Sequence, residues 1–206
     1  MHIYLVRHGL TEWNACHRFL GQKDIPLNDE GRIQSEKLAK RLEDTCFSVV
    51  YSSPLQRAYE TTRIIARGRE WNIVQDNRLI ELNIGSLEGK TFSTLTESEQ
   101  EAVAKWYKDP EMYRLPEGEN LSELQKRAWD FIEEIGGGNS EEKVLVVSHA
   151  FTVGMILCKA LRRPIKDFLR FRQDPTAVNI LSYGKKGINL ISLNDTSHLE
   201  PCSADK

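Results

Sequence analysis

The sequence predicts an α/β fold built on a mostly parallel sheet with an antiparallel edge. Three apolar runs, at residues 3–6, 47–51 and 144–147, have the length and content of buried strands. After each comes a polar turn and then apolar residues at roughly helical spacing, the alternation that lays strands parallel. The last two apolar stretches, 178–183 and 188–193, flank Gly184-Lys185-Lys186-Gly187 and read as a β-hairpin that closes the sheet.

The chain has 206 residues, 40% hydrophobic and 28% charged, enough for one substantial core. We read residues 1–206 as a single domain with a helical lid or insertion at about 85–120. A formal charge of −2 supplies no basic field, so no nucleic-acid partner is expected. No apolar run approaches the ~20 residues of a membrane span, and the N-terminus lacks a signal-peptide layout. No membrane partner is expected, and the expected location is cytoplasmic. Cys16, Cys46, Cys158 and Cys202 lack the paired spacing of a zinc or dithiol site, which fits reduced thiols.

The first run ends abruptly at Arg7-His8, and Gly9 supplies a turn-compatible backbone. Asn28 precedes Asp29 and Glu30, and Ile33, Leu38, Ala39 and Leu42 then follow a helical period. Asn28 reads as an N-cap, with acidic residues at the positive end of the helix dipole. The second run stops at Ser52-Ser53, with Pro54 as a first helical residue and Ser53 as its cap; Arg57 then lies in the first turn. A short strand within 74–82 leads to Glu81. Between Gly85 and Pro116 the pattern loosens, with Trp106, Tyr107, Pro110 and Tyr113 among charges, as in a helical insertion. Ser122 and Gln125 have capping-box spacing ahead of Leu124, Ala128, Phe131, Ile132 and Ile135, and Gly136-Gly137-Gly138 ends that helix. The third run leads into Ser148-His149 and a helix over about 151–161, stopped before Pro164. The hairpin edge could pair with a second copy, so a homodimer is the assembly this layout would permit.

Three strand ends therefore carry the chemistry: Arg7 and His8, Arg57, and His149. In an open α/β sheet the carboxyl ends of parallel strands form the ligand crevice, and helix N-termini there favour anions. Arginine offers a planar fork of donors for phosphate, and histidine a ring nitrogen able to attack or to shuttle protons. Such a set suits phosphoryl transfer, with a histidine nucleophile and fixed cations around the phosphoryl oxygens. A departing alkoxide needs a proton from a carboxylic acid. Glu81 is the candidate, and on composition alone Glu12 and Glu88 compete with it.

Leu5-Val6-Arg7-His8-Gly9 followed by Thr11, Trp13 and Asn14 resembles the signature of the histidine phosphatase superfamily, the phosphoglycerate mutase-like proteins. The resemblance continues through Gly21, Asp24, Leu27 and Gly31, and then Ser52-Ser53-Pro54-Leu55-Gln56-Arg57-Ala58. It takes in Glu81-Leu82, Gly85, Glu88-Gly89-Lys90-Thr91, Pro116 to Glu119 and Val146-Val147-Ser148-His149, in family order. It implies a three-layer sandwich. It also implies that His8 becomes phosphorylated, that Arg7, Arg57 and His149 complete the phosphate pocket, and that Asn14 adds a donor. Glu81 matches the acid that protonates the leaving group and later activates water. Thr11 would support the loop, the Ala150 amide would add an oxyanion-type donor, and Gln22 and Lys23 resemble the rim that touches the rest of the substrate. No metal or other cofactor is implied, and the partner is a small phosphorylated metabolite.

Two departures from the family pattern stand out. Position 10 is Leu where Glu is frequent, a change at the rim that leaves the pocket chemistry as it is. His149 is followed by Ala150-Phe151 where mutases of the family usually have Gly-Asn, which favours a phosphatase over a mutase. Mutases also carry a longer insertion with an arginine pair for the substrate carboxylate; Arg162-Arg163 falls after the helix of the third run and is not that pair. The rivals are a cofactor-dependent phosphoglycerate mutase and a non-catalytic module that binds a phosphorylated ligand. His17 lies near the entrance loop, and His198 sits in a tail that resembles some phosphatase relatives.

Overall fold

The computed structural model describes residues 1–136, 142–184 and 187–200. Its six strands are β1 (His2–Arg7), β2 (Val49–Ser52), β3 (Ile73–Gln75), β4 (Lys143–Ser148), β5 (Val178–Gly184) and β6 (Gly187–Asp195). They form one sheet in the order β3-β2-β4-β1-β5-β6. β3, β2, β4 and β1 run parallel, and the β5–β6 hairpin joins β1 antiparallel. The mixed sheet is the one expected. The expected second strand begins two residues later, and the strand before Glu81 is only three residues long.

Alternation along the strands sorts the core into layers. On one face Ile3, Leu5, Val144 and Val146 pack with Ala128, Phe131 and Ile132 of α5 (Leu121–Ile135) and Val153, Ile156 and Leu157 of α6 (Ala150–Ala160). On the other, Val6, Leu145 and Val147 pack with Leu38 of α2 (Asp29–Arg41) and Ala58 and Ile65 of α3 (Gln56–Ile65). A further cluster joins Leu82, Leu87, Leu95, Val103 and Trp106 to Met155 and Phe168. It packs α4 (Glu97–Lys108), the helix of the expected insertion, over one end of α6.

Capping differs from expectation at two helices. Asn28 caps α2, its Oδ1 accepting from Gly31 N. α3 begins at Gln56, with no side-chain cap from its own N-cap residue. Asp24 accepts from the Gln56 amide at 2.7 Å instead, because the helix begins three residues past Ser53, whose Oγ lies 2.8 Å from His149 Nε2 and accepts from the Leu55 amide at 3.4 Å. In α5 the box is Asn120–Glu123, two residues before the Ser122–Gln125 spacing. Gly136 is the C-cap of α5, while Gly137, Gly138, Lys185 and Lys186 of the expected hairpin turn, and Cys202 lie outside the described residues. Among the described residues no helix is long and apolar enough to cross a membrane.

Candidate active site

Register brings the strand ends together. Arg7 pairs with Ser148 and Ser52 with Val147, so His8, Ser53 and His149 leave three adjacent strands side by side. The His8 and Ser53 amides still donate to Ser148 O and Val147 O, which carries strand geometry up to the site. Gly9 then turns under α2, where a Cβ would stand 2.5 Å from Gly31 O. No side chain larger than hydrogen fits that approach.

His8 is 3% exposed, and its Nδ1 lies 2.7 Å from Gly9 O. A carbonyl can only accept, so Nδ1 carries the proton and the lone pair is on Nε2. Arg57 Nε–H donates to that lone pair at 3.2 Å. Burial holds the His8 pKa well below its ordinary value, with the charges of Arg57 and Arg7 adding to the effect. The ring is therefore neutral at neutral pH, with the nitrogen that carries the lone pair facing cations.

Arg57 is fully buried, and each terminal nitrogen is anchored through one N–H, Nη1 to Lys23 O at 2.8 Å and Nη2 to Gly21 O at 2.7 Å, which leaves a second N–H on each. Burial lowers its pKa to about 10, which leaves it charged. Arg7 Nη1 donates to Gln173 O at 2.6 Å. The His149 ring lies 5.1 Å from the His8 ring, with Nε2 2.8 Å from Ser53 Oγ. Arg7 Nε and His149 Nδ1 are buried and unpaired among the described residues. Unpaired buried polar atoms are rare. Two of them on residues that flank a neutral histidine make a cradle suited to an anion.

Glu81 is 4% exposed and sits at the N-terminus of α6. Its Oε1 accepts from Leu82 N at 2.9 Å and Thr152 N at 3.2 Å, and its Oε2 from Phe151 N at 3.2 Å. Burial raises its pKa, and the Leu82 and Phe151 amides and the two arginines oppose the shift without reversing it. Geometry separates the three glutamates. Glu88 accepts from the Gln22 and Lys23 amides at 2.5 and 3.2 Å and holds the loop that Arg57 grips. Glu12 is exposed in the short helix α1 (Glu12–Ala15), where Cys16 Sγ donates to it.

The other expected residues divide. Thr11 caps α1, and its hydroxyl donates to Asn14 Oδ1, tying Asn14 to the entrance loop. Gln22 turns its amide to Glu81 O at 3.0 Å, so it braces the backbone of Glu81. Lys23 contributes its carbonyl to Arg57, while its side chain is exposed. Ala150 opens α6 and, of the first three amides there, is the one not given to Glu81. His198 lies behind the site, its Nε2 2.9 Å from Thr176 Oγ1, and the Thr176 amide donates to Arg7 O at 3.0 Å.

Sequence reasoning missed Arg127. Its guanidinium donates to Arg78 O, Ile80 O and Glu81 O at 2.8, 2.7 and 3.0 Å, and grips Glu119 with Nε and Nη2. The segment that presents Glu81 is thus clamped from α5. One signal was available: Arg127 shares a helix face with Leu124 and Phe131, so its charge faces the interior. Gln173, on a loop, carried no such signal.

Residues 3–196 match the family model of the histidine phosphatase superfamily (branch 1). The chain is 34% identical to a probable phosphoglycerate mutase of Yersinia pestis, covering 100% of this chain and 98% of that one. It is 29% identical to phosphoserine phosphatase 1 of Hydrogenobacter thermophilus, covering 96% and 93%. Among solved structures, Bacillus stearothermophilus YhfR aligns with a TM-score of 0.91 at 31% identity, over 97% of this chain and 99% of that one. A putative α-ribazole-5′-P phosphatase from Escherichia coli aligns with a TM-score of 0.88 at 25% identity, over 95% and 97%.

Proposed function

The chain belongs to the histidine phosphatase superfamily, and we propose that it acts as a metal-independent phosphomonoesterase on small phosphorylated metabolites, with His8 as nucleophile and Glu81 as proton donor. One observation carries the reading: a neutral His8 with its proton fixed on Nδ1 lies among two arginines and His149, near a buried carboxyl of raised pKa. Phosphate oxygens would accept from Arg7, Arg57, His149 and the Ala150 amide, with Asn14 at the entrance. In the first step His8 Nε2 bonds to phosphorus, the P–O bond to the alcohol breaks, and the Glu81 proton passes to the departing oxygen. In the second the Glu81 carboxylate takes a proton from water, the water oxygen bonds to phosphorus, and the N–P bond breaks. Neutral His8, protonated Glu81 and inorganic phosphate result.

The relatives include both a phosphatase and a probable mutase. The phosphatase reading draws support from the position of Arg162-Arg163, the chain's one adjacent arginine pair. It follows the C-terminal end of α6, an 11-residue helix whose other end is at the site, about 16 Å away. Arg163 is also paired with Asp167 at 2.6 Å. The test is phosphate release in EDTA from phosphoserine, α-ribazole 5′-phosphate, fructose bisphosphates and 3-phosphoglycerate, the last also checked for its 2-isomer. Release from one or more of these supports the reading. Isomer formation without release would make the protein a mutase, and tight binding without turnover would make it a binding module.

A further inference from the structure

A cavity of about 250 Å³ adjoins the anion cradle, lined chiefly by Ala150, Phe151, Phe168, Leu169, Phe171 and Gln173. Two of these belong to both places. Ala150 follows His149 at the start of α6, and Gln173 O receives the Arg7 guanidinium. Apart from Arg172, the remaining wall is apolar. Phe151, Phe168 and Trp106 meet in edge and tilted contacts with centroids 5.4 to 5.9 Å apart, which fixes the wall in place. Leu169 stands 60% exposed at the rim, a large apolar side chain that folding alone does not bury. The cation lining this cavity, Arg172, is paired with Asp174 at 2.7 Å.

We propose that this pocket receives the organic part of the substrate and selects esters whose alcohol carries one apolar ring a carbon or two from the ester oxygen. The proposal rests on the reading that phosphate binds at His8. From that cradle, Ala150 and Gln173 lead directly into the aromatic wall. The cavity has room for a single ring and its linker, and it is smaller than the roughly 300 Å³ at which sites for drug-sized ligands begin. A substrate carboxylate would meet chiefly aromatic faces, and Arg172 at the mouth is solvent-exposed and already shared with Asp174, an unfavourable exchange for its hydration. Small, highly polar phosphates are therefore the poorer substrates.

Two measurements separate this proposal from the one it rests on. In the first, kcat/KM is compared for benzyl and 2-phenylethyl phosphate against glycerol 1-phosphate and phosphoserine. We expect an advantage on the order of tenfold for the arylalkyl esters, expressed mainly in KM. The variant Leu169→Gln, at an exposed position that tolerates a polar side chain, should shrink that ratio several-fold. In the second, wild-type protein is titrated calorimetrically with benzylphosphonate and methylphosphonate, which cannot be hydrolysed at the P–C bond. The benzyl compound should bind about tenfold tighter. Equal affinities, or turnover without arylalkyl preference, overturn the pocket. Tighter benzylphosphonate binding with no turnover of any ester keeps the pocket and overturns the phosphatase.

Discussion

Arg127 is the most exacting test of how the site is built, because it touches no substrate on our account and still governs the acid. Replacing it by methionine keeps the length and the apolar stem but removes five hydrogen bonds. Three carbonyls, of Arg78, Ile80 and Glu81, lose a charged donor, and Glu119, 15% exposed, loses its bidentate partner. Removing one member of a buried pair costs about 3–5 kcal/mol, and this pair is only mostly buried, so we expect about 3 kcal/mol. For a domain of this size that corresponds to a melting temperature lower by roughly 6–12 °C. A double variant, Arg127→Met with Glu119→Gln, should recover about 1 kcal/mol by removing the stranded carboxylate. The Gln22 amide still holds Glu81 O, so the site survives but loosens. Turnover of alkyl phosphates should then fall by about tenfold or more, while aryl phosphates, whose leaving groups need little protonation, change less. Urea unfolding and the alkyl-to-aryl ratio of kcat are the assays. A stability loss below about 1 kcal/mol with an unchanged ratio would refute the clamp.

Other expectations follow from the same geometry. His8→Ala should abolish turnover, and steady-state activity near wild type in that variant would sink the covalent route. Glu81→Gln should slow phosphoserine far more than p-nitrophenyl phosphate; equal slowing of the two would mean that Glu81 is not the leaving-group acid. Because burial raises the Glu81 pKa, kcat/KM for alkyl esters should fall as pH rises through that value, a limb absent in Glu81→Gln. His198 offers a stability test. Burial, with Arg41 adding to it, lowers its pKa from 6.5 to about 4, so the folded state binds fewer protons than the unfolded one between those values. Its contribution is present above about pH 6.5 and lost as pH falls toward 4. His198→Gln should flatten the stability slope in that window, and an unchanged slope in urea titrations would contradict it.

Residues at strand ends were legible because strand periodicity itself places them. Once residues 3–6, 47–51 and 144–147 read as strands, Arg7, His8 and His149 could only emerge at their carboxyl ends, and Arg57 in the first turn of the following helix. What stayed hidden acts through backbone atoms at long sequence separation. Arg127 reaches Glu81 across 46 positions, and Gln173 reaches Arg7 across 166, through carbonyls that every residue possesses. Side-chain competition was hidden as well. Ser53 has the right type for a cap, but the helix begins three residues later, its hydroxyl meets His149, and Asp24 caps the helix from a distant loop. Gln22 sits in the expected loop, yet Glu81 O captures its amide. Local rules state what a side chain can do, and tertiary contacts decide which option it takes.

The most direct test of the central claim is to trap the covalent intermediate and locate it on the ring. Wild-type protein mixed with a good substrate and quenched in alkali, where phosphohistidine survives, should carry phosphate on His8 alone. Phosphorus NMR of that material should place it on Nε2, since Nδ1 is committed to Gly9 O. Turnover without any phosphohistidine, or phosphate on Nδ1, would contradict the mechanism.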